Sequence, residues 1–250
     1  AAFAVKIEYE QLPTNVDPNQ SLTATDQHLL YPEWESNIQV DFAFEHGNVD
    51  EKFSKADLVI EENISSHRYG AMPLETRVVR AEYDNSEKSL TVHSSTQVPH
   101  QMRLYLAQVF GLKENRIQVL AGDVGGGFGS KLSVDCEFLP VLGSIITGHA
   151  VKWFETRSEW IHAGFAARDY QTISKAAFRE DGKIMALETH ILADMGCDGA
   201  ERACGLGMPL NGGNYAVGPY QCEDYRTKVQ CVVTNKAPYN AYRGYGKDLA

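Results

Sequence analysis

The chain has no C-x-x-C pair, no H-E-x-x-H pattern, no surplus of basic residues and no long apolar run. Each absence excludes a class of function. Its five cysteines (Cys136, Cys197, Cys204, Cys222 and Cys231) are scattered. Iron–sulfur clusters need thiolates at short spacing and structural zinc sites need paired ligands, so neither is expected on this chain. An odd, dispersed set of thiols fits a cytoplasmic protein better than a disulfide framework. The eight histidines show no ligand spacing either. Lys plus Arg number 23 against 33 for Asp plus Glu, a net charge of −10, which argues against nucleic acid or an anionic membrane as partner. No stretch approaches the roughly 18 apolar residues of a membrane span. The opening Ala1-Ala2-Phe3-Ala4-Val5-Lys6 lacks the pattern of a secretory signal. With 250 residues, 43% of them hydrophobic and 22% charged, the chain is long and apolar enough for one large or two small globular domains. Its two ends read as cuts in a longer polypeptide.

What is present is a glycine loop. In Ala121-Gly122-Asp123-Val124-Gly125-Gly126-Gly127-Phe128-Gly129-Ser130-Lys131, four of the five residues from Gly125 to Gly129 are glycine and the other is a bulky aromatic. Glycine costs conformational entropy on folding, so such a run suggests a backbone that must approach something large. The loop follows a strand-like Arg116–Leu120 and precedes a helix-like stretch from Leu132 to about Ile146. That placement leaves N–H groups aimed at an oxygen-rich ligand. A P-loop would need Lys directly after the last Gly, but Ser130 intervenes. A dinucleotide fingerprint would need glycine at position 130. Both fail.

Elsewhere, Val5–Glu10 alternates as a half-buried strand, and Asn15–Tyr31 reads as a breaker-rich linker. A short helix is expected near Gly47–Phe53, with strands at Leu58–Ser65, Val78–Tyr83 and Ser89–Ser95. Pro99 opens a helix with a partial apolar stripe of Leu104, Leu106, Val109 and Phe110, ending at Gly111. A strand at Val151–Glu155 leads into a helix capped by Ser158. Tyr170–Phe178 and Ile184–Ala193 form a hairpin about Asp181-Gly182, and Lys228–Val233 is a last strand. The stretch Ala200–Val217 resists assignment. Strands and helices without strict alternation argue for an α+β fold.

Four elements then occur together. They are the glycine loop, Ser95-Thr96-Gln97 at a strand end, Pro73-Leu74-Glu75-Thr76, and Thr234-Asn235-Lys236-Ala237-Pro238-Tyr239-Asn240-Ala241-Tyr242-Arg243-Gly244-Tyr245-Gly246. Gln97 lies 31 residues before Phe128. In kind, order and spacing this set resembles the molybdenum hydroxylases, the family of xanthine dehydrogenases, aldehyde oxidases and CO-dehydrogenase-like enzymes. The resemblance implies a molybdenum–pterin cofactor, with or without a cytosine dinucleotide. It also implies iron–sulfur clusters and FAD on partner chains or domains, and a second cofactor-binding domain of the same protein. Residues 1–30 would be the tail of a small α+β (hammerhead-like) domain with its linker. Residues 31–250 would be the first cofactor-binding domain, truncated at its C-terminus. The reaction implied is hydroxylation of an aldehyde or N-heterocyclic carbon with water as oxygen source. A family glutamate in a Gly-Glu motif serves as base. No Gly-Glu occurs in this chain, so that base is expected beyond Ala250. A non-catalytic binding or maturation module of the same fold is the alternative.

By the same resemblance Gln97 would donate to an oxygen on molybdenum; read from the residues alone, a Gln there could cap the next helix or bond a loop carbonyl. Gly127, Phe128 and Gly129 would contact the same centre, with Phe128 as shield or as ordinary core aromatic. Ala241, Tyr242 and Arg243 would approach from another side, unless Arg243 is a surface ion-pair residue. Substrate-side candidates are Leu132, Tyr245 and Arg202. Leu132 stands where purine-oxidising relatives carry Glu, which weakens a xanthine reading, and the Glu201-Arg202 pair lies further from Arg243 than in those relatives. CO-oxidising members carry a copper-binding Cys after the A-Y-R; here Gly244 follows Arg243. Glu75 reads as a structural carboxylate.

Overall fold

The computed structural model describes residues 6–197 and 205–247. Among them two sheets and their covering helices form an α+β fold. The smaller sheet contains β3 (Val78–Asp84), β4 (Ser89–Ser94), β5 (Ile117–Leu120) and β6 (Val151–Phe154), in the order β5-β4-β3-β6. Alternation builds its core. Val79 and Ala81 on β3, and Leu90 and Val92 on β4, all face inward. They meet Met102 and Leu106 of α3 (Pro99–Phe110) and Val141 of α4 (Phe138–Thr147). Each large aliphatic buried in this way contributes about 1.5–3 kcal/mol. Pro99 stands in the first turn of α3, where its missing N–H does no harm, and Gly111 ends the helix at φ +64°.

The larger sheet runs β1-β9-β8-β7-β2, from β1 (Ile38–His46), β2 (Leu58–Gly70), β7 (Ala166–Phe178), β8 (Ile184–Asp194) and β9 (Tyr225–Val232). Only the β8–β9 pairing is parallel. The hairpin of β7 and β8 turns at Gly182, φ +82°. Tyr170, Ile191, Met195, Val229 and Cys231 pack with Met208 of α6 (Gly207–Asn214). Burial pushes the Cys231 thiol up to about 12, and its side chain packs within this core.

Several sequence expectations are corrected. Residues 6–17 form no strand, and Ile7 and Tyr9 are exposed. Alternation without a neighbouring strand does not hold a strand together. The supposed linker contains α1 (Pro18–Leu22), capped by Asp17 and packed so that Ser21 is buried. The helix expected from Leu132 starts only at Phe138, because Ser130, Lys131 and Ser133 are drawn into buried polar contacts first. The helix after β6, α5 (Arg157–Ala163), is capped by Thr156 in a reciprocal box with Glu159, not by Ser158. Leu104 and Val109 of α3 face solvent; Met102, Leu106 and Ala107 form its buried face. Strand β1 is a further element, for which the sequence carries no separate expectation. A short α2 (Val49–Ser54) follows it as expected.

One buried ion pair aims the 71–76 segment at the site. Arg77 and Glu155 are both almost fully buried. Arg77 Nη2 reaches Glu155 Oε1 at 2.7 Å, while its Nε and backbone N each donate to Oε2 at 3.1 Å. Thr76 Oγ1 donates to the Glu155 carbonyl at 2.6 Å, and the guanidinium lies over Trp160 and Phe165. Burial disfavours the charged guanidinium, yet its bonds to Glu155 raise the Arg77 pKa above its ordinary value. Removing one partner leaves a buried charge unmatched. Glu155→Gln should lower the unfolding free energy by about 3–5 kcal/mol in a urea titration; a loss under about 1 kcal/mol would mean that water already serves this pair.

Candidate cofactor-binding site

The glycine loop leaves β5 and turns through left-handed backbone at Gly126 (φ +96°), Phe128 (φ +54°) and Gly129 (φ +100°). Phe128 is no glycine, so this conformation costs it on the order of 1–3 kcal/mol and must be imposed by its surroundings. Glu75 imposes much of it. Its Oε2 accepts from Gly125 N–H at 2.9 Å and from Lys131 Nζ at 2.9 Å, and its own N–H donates to the Gly125 carbonyl at 3.1 Å. Lys131 is 1% exposed, so the ion pair closes the loop across its base. Ser130 adds N–H and hydroxyl donation to the Gly127 carbonyl at 2.9 and 2.6 Å. Burial alone would raise the Glu75 carboxyl; the Lys131 ammonium and the Gly125 amide outweigh it and hold it below its ordinary range. Glu75 is a structural carboxylate.

Gln97 sits between the end of β4 and α3, and it does not cap that helix. Its Oε1 accepts from Gly129 N–H at 3.0 Å and Lys131 N–H at 3.2 Å, and its backbone N–H donates to the Lys131 carbonyl at 3.1 Å. With the oxygen spent on the loop, the amide orientation follows: Nε2 is the free end, and no described residue accepts from it. Gly127 packs so tightly here that a Cβ would overlap the Gln97 carboxamide.

The second turn follows β9. Thr234 Oγ1 donates to the fully buried Asp194 at 2.6 Å, and Lys236 Nζ reaches Asp194 at 2.8 Å and Asp169 at 3.0 Å. Asn240 Nδ2 donates to Ser133 Oγ at 3.0 Å, tying the turn to the stretch after the glycine loop. The two turns touch. A Cβ on Gly129 would lie 2.8 Å from the Ala241 carbonyl oxygen. Near this contact the N–H groups of Gly127, Phe128, Tyr242 and Arg243 enter no hydrogen bond with any described residue. Of these, Phe128 lies on left-handed backbone between Gly127 and Gly129, and successive unspent amides at such a turn are the kind of group that receives an anion.

The structure brings six of the seven cofactor-binding candidates to that seam, and Arg243 joins them through its backbone. Its side chain is exposed and has no ion pair among the described residues. Phe128, 44% exposed, lies over the loop and is not a core aromatic. Of the substrate-side candidates, Leu132 and Tyr245 are half-buried and, like Tyr242, pack against the buried core that contains Tyr170, Met208 and Tyr239. Arg202 lies outside the described residues. Sequence reasoning missed Arg168, whose guanidinium carbon lies 4.8 Å from the Tyr242 ring centroid and whose Nη2 donates to the Arg243 carbonyl at 2.9 Å. The available signal was an adjacent charged pair, Arg168-Asp169, at the start of an otherwise regular strand. No group of three potential metal-ligating side chains occurs among the described residues, and none of their helices is long and apolar enough to cross a membrane.

A family model described as the molybdopterin cofactor-binding domain matches residues 30–250. This chain belongs to that family. It is 34% identical over 249 residues to the carbon monoxide dehydrogenase large chain of Afipia carboxidovorans, covering 93% of this chain and 30% of that one. It is 32% identical to the nicotine 6-hydroxylase large subunit of Paenarthrobacter nicotinovorans, covering 98% of this chain and 30% of the relative. Quinoline 2-oxidoreductase from Pseudomonas putida 86 superposes with a TM-score of 0.89 at 29% identity, over 98% of this chain and 31% of that structure. The chain thus spans about a third of its relatives. The unspent amides and the free Gln97 Nε2 are donors without acceptors, and they fit the anionic, oxygen-rich cofactor of a molybdopterin-binding domain.

The Glu75 clasp makes a pH-dependent prediction. A depressed carboxyl stabilises the fold above its unfolded pKa, and that stability is lost as pH falls through the folded value. Glu75→Gln should lower the thermal midpoint at neutral pH, and the gap to wild type should close as pH falls below the ordinary value of 4.5. A gap independent of pH would show that the carboxylate's charge is not what holds the loop.

Proposed function

We propose that this chain holds a molybdenum–pterin cofactor in an oxidoreductase that hydroxylates an aldehyde or N-heterocyclic carbon, with water as the oxygen source. The observation that carries this reading is the meeting of two glycine-rich turns whose amides are unspent. Two relatives named for nicotine and quinoline support a nitrogen heterocycle as substrate class. When bound, the cofactor supplies a two-electron oxidation that no side chain here can perform. Gln97 Nε2 would donate to an oxygen of that group, a neutral donor preorganised where negative charge builds. The amides of Gly127, Phe128, Tyr242 and Arg243 would hold it, with Phe128 excluding water above. Leu132, Tyr242 and Tyr245 would form an apolar wall that suits a flat ring and offers no carboxylate to a purine. Oxidation of CO is not part of the proposal, because Gly244 stands in the place of a copper-binding cysteine.

The finer organisation belongs to the same proposal. Residues 1–30 would end a preceding small domain, and a second cofactor-binding domain would close the far side and bring the base. Electrons would leave to iron–sulfur and flavin centres on other domains or subunits, since the cysteines here are dispersed. The full-length protein should copurify with molybdenum and pterin; zinc or iron without molybdenum in a matured preparation would overturn the reading. Gln97→Glu separates the two ends of the amide. The carboxylate still accepts from Gly129 and Lys131 and keeps the loop closed, but it turns a charged acceptor towards an anionic group, so metal content is measured alongside and the rate is read on the loaded fraction. Loss of the donor should slow single-turnover reduction by roughly a hundredfold or more. Near-normal reduction at full loading would strip Gln97 of the donor role.

A further inference from the structure

The first residues of β7 run beside the second turn. Ala166 bridges to Tyr239, and its carbonyl accepts from Asn240 N–H at 2.9 Å. Two residues on, the strand leaves extended backbone at Arg168 (φ +64°) and Asp169 (φ +78°). Side-chain-bearing residues stay in that conformation only where their surroundings over-determine them, and both are fastened. Asp169 lies 3.0 Å from Arg68 Nε and 3.0 Å from Lys236 Nζ, the latter at the base of the turn. Arg168 lies 5.4 Å from the Tyr69 ring centroid on β2 and 4.8 Å from the Tyr242 ring centroid on the turn, and it donates to the Arg243 carbonyl. A peptide plane is rigid. Pinning the Arg243 carbonyl therefore also sets the direction of the Gly244 N–H, at a glycine with φ +109°.

We propose that Arg168 is a positioning residue for the cofactor-facing turn, setting the Tyr242 ring and the Arg243–Gly244 peptide plane from the sheet behind them. The proposal rests on the cofactor-binding reading for its purpose, but its geometry is independent of it. It requires a guanidinium and not merely a positive charge. A planar fork can stack on a ring while donating in its own plane, whereas an ammonium is a point charge with no face. Asp169 and Lys236 anchor the backbone on either side, so the effect of Arg168 should stay local to the turn.

The test compares full-length wild type with Arg168→Gln and Arg168→Lys, and with Arg80→Gln, which removes an exposed ion pair of the smaller sheet. Amide exchange is read peptide by peptide, with molybdenum content and the paramagnetic resonance signal of the loaded fraction alongside. Both Arg168 variants should exchange about tenfold faster across residues 241–247 while β8 and β9 keep their protection. Their metal signal should shift from that of wild type, and Arg80→Gln should change neither. Unchanged protection of the turn, loss spread over the whole larger sheet, or restoration by lysine would each overturn the proposal. Wild-type protein without molybdenum would sink the cofactor reading instead, and the exchange data would still decide the role of Arg168.

Discussion

The site depends on one side-chain oxygen. Gln97 Oε1 accepts from the amides on either side of Ser130, and three consequences follow from that. The loop is closed onto the end of β4. The carboxamide cannot flip without losing both bonds, so its Nε2 is committed to face away from the loop. Gly127, packed against the same carboxamide, has no room for a side chain. A neutral amide suits this post because it accepts on one side and donates on the other.

Around that bond the two sheets divide the work. The smaller sheet delivers Gln97 from β4 and the glycine loop from β5, and its buried Arg77–Glu155 pair brings Glu75 to clasp the loop's base. The larger sheet delivers the Ala241–Arg243 turn from the end of β9, fastened below by Asp194 and Lys236. Neither turn makes a site alone. The amides lie unspent where the two come together at Gly129 and Ala241, at the seam between two mixed sheets, each with one parallel pairing. Strain at Phe128 is stored there and balanced by hydrogen bonds further back, a distribution common at functional sites.

Much of this was legible in the sequence, and the exceptions have physical causes. Helix α3 announced itself through Pro99 and Gly111, and the β7–β8 hairpin through Asp181-Gly182, because turn and cap chemistry is local. The family elements could be read because each combines rare residue types in a fixed order. Strand β1 carried its signal in Ile38, Val40, Phe42 and Phe44, but those residues stood next to a breaker-rich stretch. The false helix start at Leu132 shows tertiary contacts overriding propensity, since Ser133 and Lys131 are spent on Asn240 and Glu75. The dual use of Gln97 and the reach of Arg168 to Tyr242 join residues far apart in the chain. No window of sequence contains both partners.

The most direct measurement of the central claim is the molybdenum and pterin content of full-length Gly127→Ala beside wild type, with thermal unfolding of both. The account predicts a variant that unfolds near the wild-type temperature yet carries little molybdenum, because the added methyl displaces the Gln97 carboxamide and turns the amides of the loop out of line. A stably folded Gly127→Ala protein with a full complement of molybdenum would contradict it.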